Sequence, residues 1–593
     1  MMTEKFRGHE FDPAALRAKY DAERDKRYRK DGNDQYIHLH EATSHWLDDP
    51  YTPRIEREAV TKDVEVLVMG GGFAALLAAG RLRDSGIDDL LLVEKAGDFG
   101  GTWYWNRYPG AACDVESYIY LPMLEETGYM PSEKYARGPE IYEYSRTIGR
   151  RFGLYERTLF HTRIDAFRWD EGVSRWRVET DRGDVITTRF LIICPGHYQN
   201  PKLPGIPGVL DFKGHAFHTS RWDYEYTGGD ASGAGLDKLA DKTVGIIGTG
   251  ATAIQCIPHL GRGAKQLYVF QRTPSSVDVR GDHPTDETWF KSLKPGWQRH
   301  RMDNFSQVTT GLPADEDQVD DSWTRVTFES VCQAKGLSQE EMGELAQLND
   351  FAIMEHIRER IETTVEDKQT AEALKPWYNR LCKRPCFHDD YLPTFNRPNV
   401  ELVDTAGQGV DAITQDGLVV NGKEYKVDCI VYATGFDVTP YAGFSMPVYG
   451  RNGLSLAEKW KDGATTLHGI HVNQFPNMFI ISTTQSAWGS NFPHMMDEQA
   501  HHIAHIIKEA RARGAGVVEV TPEAEQAWVA LHEELSVYMT RVWADCTPSY
   551  FNNEGQVSPA IKRNGGFGGG VDRFIDILKG WRTDGGLPGL ELS

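Results

Sequence analysis

No apolar run in this chain is long enough to cross a membrane. Val66–Met69 and Leu90–Val93, among the longest, are strand-sized, far short of the roughly 18–20 residues that a bilayer demands. Basic charge is also scarce. Against 86 Asp and Glu stand 65 Lys and Arg, a net charge of −21 over 593 residues, which argues against nucleic acid as a partner. Cysteine is sparse and scattered: eight residues, at 113, 194, 256, 332, 382, 386, 429 and 546, with no C-x-x-C pair. That usage points to a reducing, cytoplasmic setting rather than a disulfide framework, and Cys382 and Cys386, the one close pair, read as ordinary thiols near a turn. The charged stretch from Met1 to Asp34 lacks the apolar core of a secretory signal, so the mature chain is expected to begin there.

What the chain has in quantity is glycine, 58 residues without a collagen-like period, which predicts tight turns and close backbone approaches. With 40% hydrophobic and 11% aromatic residues it can fill several cores, about three or four units by length. Residues 1–55 are polar with helical stretches and read as an extension wrapped on the body. Between 281 and 378 the sequence turns charged, and Phe351, Met354, Ile357 and Ile361 recur at helical spacing, predicting a helical insertion. The late stretches Glu498–Arg513 and Pro522–Trp543 read as amphipathic helices.

Two strand–glycine–helix junctions carry the chemistry. Val64–Met69 runs into Gly70-Gly71-Gly72-Phe73-Ala74-Ala75, a G-x-G-x-x-A pattern that opens an apolar helix. There Gly70 makes the turn, Gly72 lets backbone approach a pyrophosphate, and Ala75 lets helix and strand pack closely, with the helix N-terminus toward the phosphates. The next strand ends in Glu94, 94 − 70 = 24 residues on, where an acid can bind the hydroxyls of an adenosine ribose. A second junction, Val244–Ile247 followed by Gly248-Thr249-Gly250-Ala251-Thr252-Ala253, is followed by a strand ending in Gln271-Arg272-Thr273 instead of an acid. An arginine and a hydroxyl there suit a 2′-phosphate. The pair of junctions predicts FAD and NADPH in one chain, and an α/β fold of two Rossmann-like domains, each a parallel sheet flanked by helices.

Between the junctions, Phe212-Lys213-Gly214-His215-Ala216-Phe217-His218-Thr219-Ser220-Arg221-Trp222-Asp223 matches F-x-G-x-x-x-H-x-x-x-W-[PD] at each fixed position. With Gly100 to Gly110, Cys113 to Ser117, Lys383-Arg384-Pro385, Phe395 to Val400 and Ala433 to Phe436, it makes the chain from about residue 62 onward resemble the type I Baeyer-Villiger monooxygenases. Residues 1–55 and the run Cys546 to Gly555 are similar to the N-terminally extended members that accept large cyclic, steroid or polycyclic ketones.

The resemblance implies an FAD- and NADPH-dependent enzyme that places one oxygen atom of O2 beside a ketone carbonyl, through a peroxide on the flavin C4a carbon, to give an ester or lactone. It implies that Arg384 supplies a fixed positive charge, held by Asp114. By the same resemblance Lys383 reaches the NADP 2′-phosphate, and Gly101, Thr102, Trp103, Asp114, Thr434 and Gly435 join Gly70, Gly72, Phe73, Ala75 and Glu94 on one side and Gly248, Gly250, Ala251, Thr252, Arg272 and Thr273 on the other as cofactor-binding positions. Phe212, Gly214, His218, Trp222 and Asp223 are implied to couple the nucleotide domains, with His218 structural rather than a general base. Two positions depart from better-known members: Ser549-Tyr550 stands where they place a Trp, and Ala112 where many have Arg. Both point to a differently shaped pocket.

The expected partners are a small ketone and O2, with no nucleic acid and no membrane span; a monomer is compatible with the sequence. A metal is not expected, because the His494, Glu498, His501, His502 and His505 group lacks H-E-x-x-H. The segmentation expected is an extension (1–55), an FAD-binding domain (56–205 and 436–593), an NADPH-binding domain (206–280 and 379–435) and a helical insertion (281–378). Other readings are a nitrogen- or sulfur-oxidising flavoenzyme, which usually lacks the terminal Trp-[PD], and a silent nucleotide sensor, which would not need Asp114, Arg384 and His218 together. A disulfide reductase would need a cysteine pair soon after the first helix, where only Cys113 stands.

Overall fold

The computed structural model describes residues 4–37, 46–196, 198, 200–333, 337–438, 446–556 and 559–593. Positions 1–3 and 38–45 of the expected extension lie outside them.

Two sheets organise the body. In the first, strands Thr61–Met69, Leu90–Val93, Val185–Ile193 and Met478–Ile480 run parallel, Met69 lying beside both Val93 and Ile193. Each central strand is buried on both faces, which is why these segments read as unbroken apolar runs. This sheet is not purely parallel as expected. Ile164–Asp170, Arg175–Thr180 and Val185–Ile193 form an antiparallel meander along one side of it, and their alternating burial is that of strands facing core on one side only. The second sheet is fully parallel, in the order His215–His218, Cys429–Tyr432, Thr243–Ile247, Gln266–Gln271, Val400–Asp404. The middle of the sequence fingerprint is thus its edge strand.

Helix Phe73–Asp84 lies under the first sheet and packs against Phe492–Ala512, placing the small residues Ala75, Ala78 and Ala79 in the core where backbones must approach. The insertion contains the helix Gln339–Thr364, whose Phe351, Met354, Ile357 and Ile361 are buried as their spacing predicts. The extension docks on it: Phe11, Leu16 and Tyr20 close over Phe351 and Ala352, and Arg358 donates to Tyr20 Oη (3.2 Å) and to the Pro376 carbonyl (2.7 Å). The late helix expected over Pro522–Trp543 is two, Pro522–Leu535 and Val537–Ala544, broken at Ser536. The Ser536 hydroxyl donates back to the His532 carbonyl at 2.7 Å, a bond that competes with the helical ladder. Among the described residues no helix is long and apolar enough to cross a membrane.

Candidate active site

The two glycine junctions are built alike. Gly70 has φ +115°, and a Cβ there would lie 3.0 Å from the Cys194 carbonyl oxygen; Gly248 has φ +114°, and a Cβ there would lie 2.5 Å from the Ala433 carbonyl oxygen. Any side chain would therefore be both strained and obstructed, which is the physical reason for glycine at each turn. Gly72 and Gly250 N-cap the helices Phe73–Asp84 and Ala251–Gly263 without a side-chain cap, so the helix-end N–H groups are left for an anion. A Cβ on Gly250 would meet nothing within 4 Å. Both cradles fit a bound dinucleotide.

At the first cradle Glu94 is buried, accepts from the Ala96 N–H at 2.6 Å, and has its carboxyl pKa raised by that burial. Gly101 approaches so closely that a Cβ on it would lie 2.7 Å from the Gly72 Cα. It begins the short helix Thr102–Trp105, and Trp103 Nε1 donates to Tyr120 Oη at 3.0 Å.

At the second, Arg272 donates to Gln35 Oε1 (2.6 Å) and to Glu554 Oε2 (3.4 Å). The buried Thr273 hydroxyl has no partner among the described residues, which leaves it able to bond a ligand. Burial, reinforced by the charge of Arg272, pushes the Lys383 pKa down to about 8. Arg272, Thr273 and Lys383, taken from distant parts of the sequence, thus share one cationic region. Thr434 donates to the Lys202 carbonyl and the Lys202 N–H donates to Gly435 at 2.9 Å, which closes the rim.

Near the cradles, Arg384 grips Asp114 through two hydrogen bonds, Nη1 to Oδ2 at 2.7 Å and Nη2 to Oδ1 at 2.5 Å. Burial works to lower the Arg384 pKa, but the Asp114 carboxylate overrides it and raises the pKa well above the usual value. Asp114 is fixed in turn, its backbone carbonyl accepting from Trp323 Nε1 at 2.7 Å. Tyr198 and Tyr550 lie within electrostatic reach of the guanidinium. Ala112, one of the departures, is held through its backbone by Gln255, whose Nε2 donates to the Ala112 carbonyl at 2.9 Å.

The fingerprint histidine lies in the interior, engaged at both ring nitrogens. His218 is fully buried, which with the nearby Arg221 takes its pKa down to about 3; Nδ1 accepts from the Ser220 N–H (3.2 Å) and Nε2 donates to the Gly435 carbonyl (3.0 Å). Nε2 thus holds the edge strand to the 434–435 turn, while Nδ1 caps the turn at Ser220 that follows the strand. Trp222 Nε1 donates to Thr227 Oγ1 (3.0 Å), Asp223 caps Tyr226, and Phe212 packs on the second sheet's core; a Cβ on Gly214 would strike the Phe212 ring.

One expectation is overturned. Cys382 is not an ordinary thiol beside Cys386; it is disulfide-bonded to Cys546, 164 residues away. The bridge ties the segment before Lys383-Arg384 to the start of the run 546–555, and Ser549 Oγ reinforces it by donating to the Cys382 carbonyl at 3.0 Å. Thiol titration of the unfolded, unreduced protein should therefore find six groups, and eight after dithiothreitol; eight from the outset would mean that no bridge forms.

The His494 to His505 group does not converge. Glu498 is engaged by Arg299 and Arg582, and His494 faces Asp303. The sequence reading also missed Trp323, Gln35, Tyr36 and Glu554. No local signal marks them, because each meets its site across a separation in sequence of some two hundred residues or more.

Two nucleotide cradles in one chain, with an arginine held by a buried carboxylate, define a flavoprotein oxidoreductase that also binds a nicotinamide dinucleotide. Residues 68–129 match the NAD(P)-binding Rossmann-like domain. The chain is 49% identical over 592 residues to neopentalenolactone D synthase of Streptomyces avermitilis, covering 98% of this chain and 99% of that one. It is 47% identical over 606 residues to a Baeyer-Villiger monooxygenase of Stachybotrys chlorohalonatus, covering 100% and 96%. Its structure resembles the polycyclic ketone monooxygenase of Thermothelomyces thermophila with a TM-score of 0.91 at 39% identity, covering 98% and 99%. The chain belongs to the Baeyer-Villiger monooxygenases: it is an enzyme dependent on FAD and NADPH that inserts one oxygen atom from O2 next to a ketone carbonyl.

Proposed function

We propose that the substrate is a bulky, largely apolar cyclic or polycyclic ketone and the product a lactone. The carrying observation is the Arg384–Asp114 pair, a fixed positive charge within electrostatic reach of Tyr108 beside Thr252 and of Tyr120 beside Trp103; the similarity to a lactone synthase and to a polycyclic ketone monooxygenase supports the substrate class. When bound, FAD supplies oxygen activation and NADPH the hydride.

The chain's own residues do the rest. Arg384 remains protonated and, with its side chain 34% exposed, can present donors to negative charge developing on the ketone oxygen. Asp114 positions it. Glu94 holds the FAD ribose, Gly70, Gly72, Phe73, Ala75, Gly101, Thr102 and Trp103 shape that cradle, and Arg272, Thr273 and Lys383 take the NADP 2′-phosphate. His218, with Phe212, Gly214, Trp222 and Asp223, keeps the two cradles in register. We assign residues 56–205 and 436–593 to the FAD domain and 206–280 and 379–435 to the NADPH domain, with 1–55 as extension and 281–378 as insertion. We read the enzyme as cytoplasmic.

The test is mass analysis after incubating FAD-loaded protein with NADPH, 18O2 and a panel of polycyclic, steroid, small cyclic and linear ketones plus one sulfide. A ring-expanded lactone carrying one 18O from a bulky ketone is expected. Turnover of small linear ketones alone would overturn the substrate class, and labelled sulfoxide without ester would favour heteroatom oxidation.

A further inference from the structure

Around Arg272 the structure places a carboxylate where the chemistry calls for a phosphate. Glu554 is buried, with its side chain 5% exposed. Its Oε2 accepts from Arg272 Nη2 at 3.4 Å, and its Oε1 accepts from Tyr36 Oη at 3.1 Å and lies 3.9 Å from Lys202 Nζ. A guanidinium, an ammonium and a hydroxyl converging on one anion is the donor set a phosphate dianion seeks.

The cluster is short of negative charge. Arg272, Lys202 and Lys383 face Glu554, and burial lowers the pKa of both lysines, Arg272 adding to the effect at Lys383. The Thr273 hydroxyl, without a partner among the described residues, adds a further donor beside Arg272. Two carboxylates, Glu554 at the centre and Asp437 toward Lys202, thus face three cations and balance them only in part.

Nor does the carboxylate lie there as a loose side chain. Asn553 and Glu554 have φ of +53° and +55°, the left-handed region that non-glycine residues rarely adopt. The Glu554 N–H donates to the Ser549 carbonyl at 2.8 Å and the Gly555 N–H to Asn552 Oδ1 at 3.0 Å. A strained turn that is held from both sides aims the carboxylate at Arg272.

We propose that Glu554 competes with the 2′-phosphate of NADP(H) for Arg272 and Lys202, and so is a specificity-determining residue that tempers the preference for NADP(H) over NAD(H). The proposal rests on the assignment of Arg272, Thr273 and Lys383 to the 2′-phosphate. An incoming dianion must displace the carboxylate or share its cations with it at close range, and like charges there oppose binding. NAD(H) brings no phosphate to this place and escapes the penalty.

Glu554→Gln keeps the shape and the acceptor for Tyr36 while removing the charge. Isothermal titration calorimetry on FAD-loaded protein, with NADP+, NAD+, 2′,5′-ADP and 5′-AMP as probes, reads the effect without turnover. NADP+ and 2′,5′-ADP should bind roughly tenfold tighter to the variant, on the order expected for one nearby charge; NAD+ and 5′-AMP should change less than about twofold. Unchanged or weaker binding of NADP+ and 2′,5′-ADP would overturn the proposal, making Glu554 a support for Arg272 instead of a rival ligand. Arg272→Ala separates the two layers. If it abolishes the NADP+ over NAD+ preference, the 2′-phosphate assignment holds whatever Glu554 does; if the preference survives, that assignment fails and the proposal with it. Should the Gln variant not fold, Glu554→Asp, which draws the carboxylate back by one methylene, should shift NADP+ binding in the same direction.

Discussion

Arg384→Ala should abolish oxygen insertion while NADPH consumption continues. In the intact site the guanidinium is doubly bonded to the buried Asp114, so the positive charge is fixed before substrate arrives and costs no reorganisation when negative charge develops. Removing a preorganised charge of this kind lowers turnover by about three orders of magnitude. The hydrogen bonds of Arg384 go to Asp114 and the Pro385 carbonyl rather than to a cradle turn, so reduction of FAD by NADPH, followed at the flavin absorbance by stopped flow, should keep its rate within a few-fold. The two readouts together are diagnostic: ester or lactone per NADPH should fall toward zero and hydrogen peroxide per NADPH should rise toward one. Arg384→Lys should recover little, because a single ammonium cannot reproduce the two parallel bonds to Asp114. A variant that still coupled NADPH to product would remove Arg384 from the chemistry.

Asp114→Asn should cost both stability and rate. Asp114 is 4% exposed, and its carboxylate is what raises the Arg384 pKa against the opposing effect of burial. Without that charge the guanidinium stays largely desolvated and uncompensated, at a cost of about 3 kcal/mol, toward the low end for a broken buried pair because Arg384 is partly exposed. The Tm of the FAD-loaded variant should drop by about 2–3 °C, and lactone formation should fall by about one to two orders of magnitude as Arg384 loses its fixed orientation. Asn keeps the shape of the site, so an unchanged Tm with unchanged coupling would show that the pair contributes neither charge fixation nor stability.

The parts of this enzyme that were legible in its sequence are those built from neighbours in the chain. Gly70 to Glu94 is strand, turn, helix, strand and acid in one continuous stretch, and each residue is there for a local reason: a positive φ, a close approach, a helix end. The same holds for Gly248 to Thr273. Arg384 and Asp114 were legible only through resemblance, since 270 residues separate them. The Cys382–Cys546 bridge and the Arg272–Glu554 contact gave no local sign at all, because spacing carries no information about which distant segments will meet. The antiparallel meander was missed for another reason. Its strands alternate buried and exposed residues over six or seven positions, a weaker pattern than the apolar runs of the central strands.

The meeting of Gln35 and Glu554 at Arg272 also sets an order of events in the making of the protein. Glu554 leaves the ribosome 554 − 35 = 519 residues after Gln35; at about 5–20 residues per second that is an interval of roughly half a minute to two minutes. The FAD cradle's glycines and Glu94 emerge early. The surroundings of Arg272 are completed only once Glu554 has emerged, and the first cradle waits almost as long, because its helix Phe73–Asp84 packs on Phe492–Ala512.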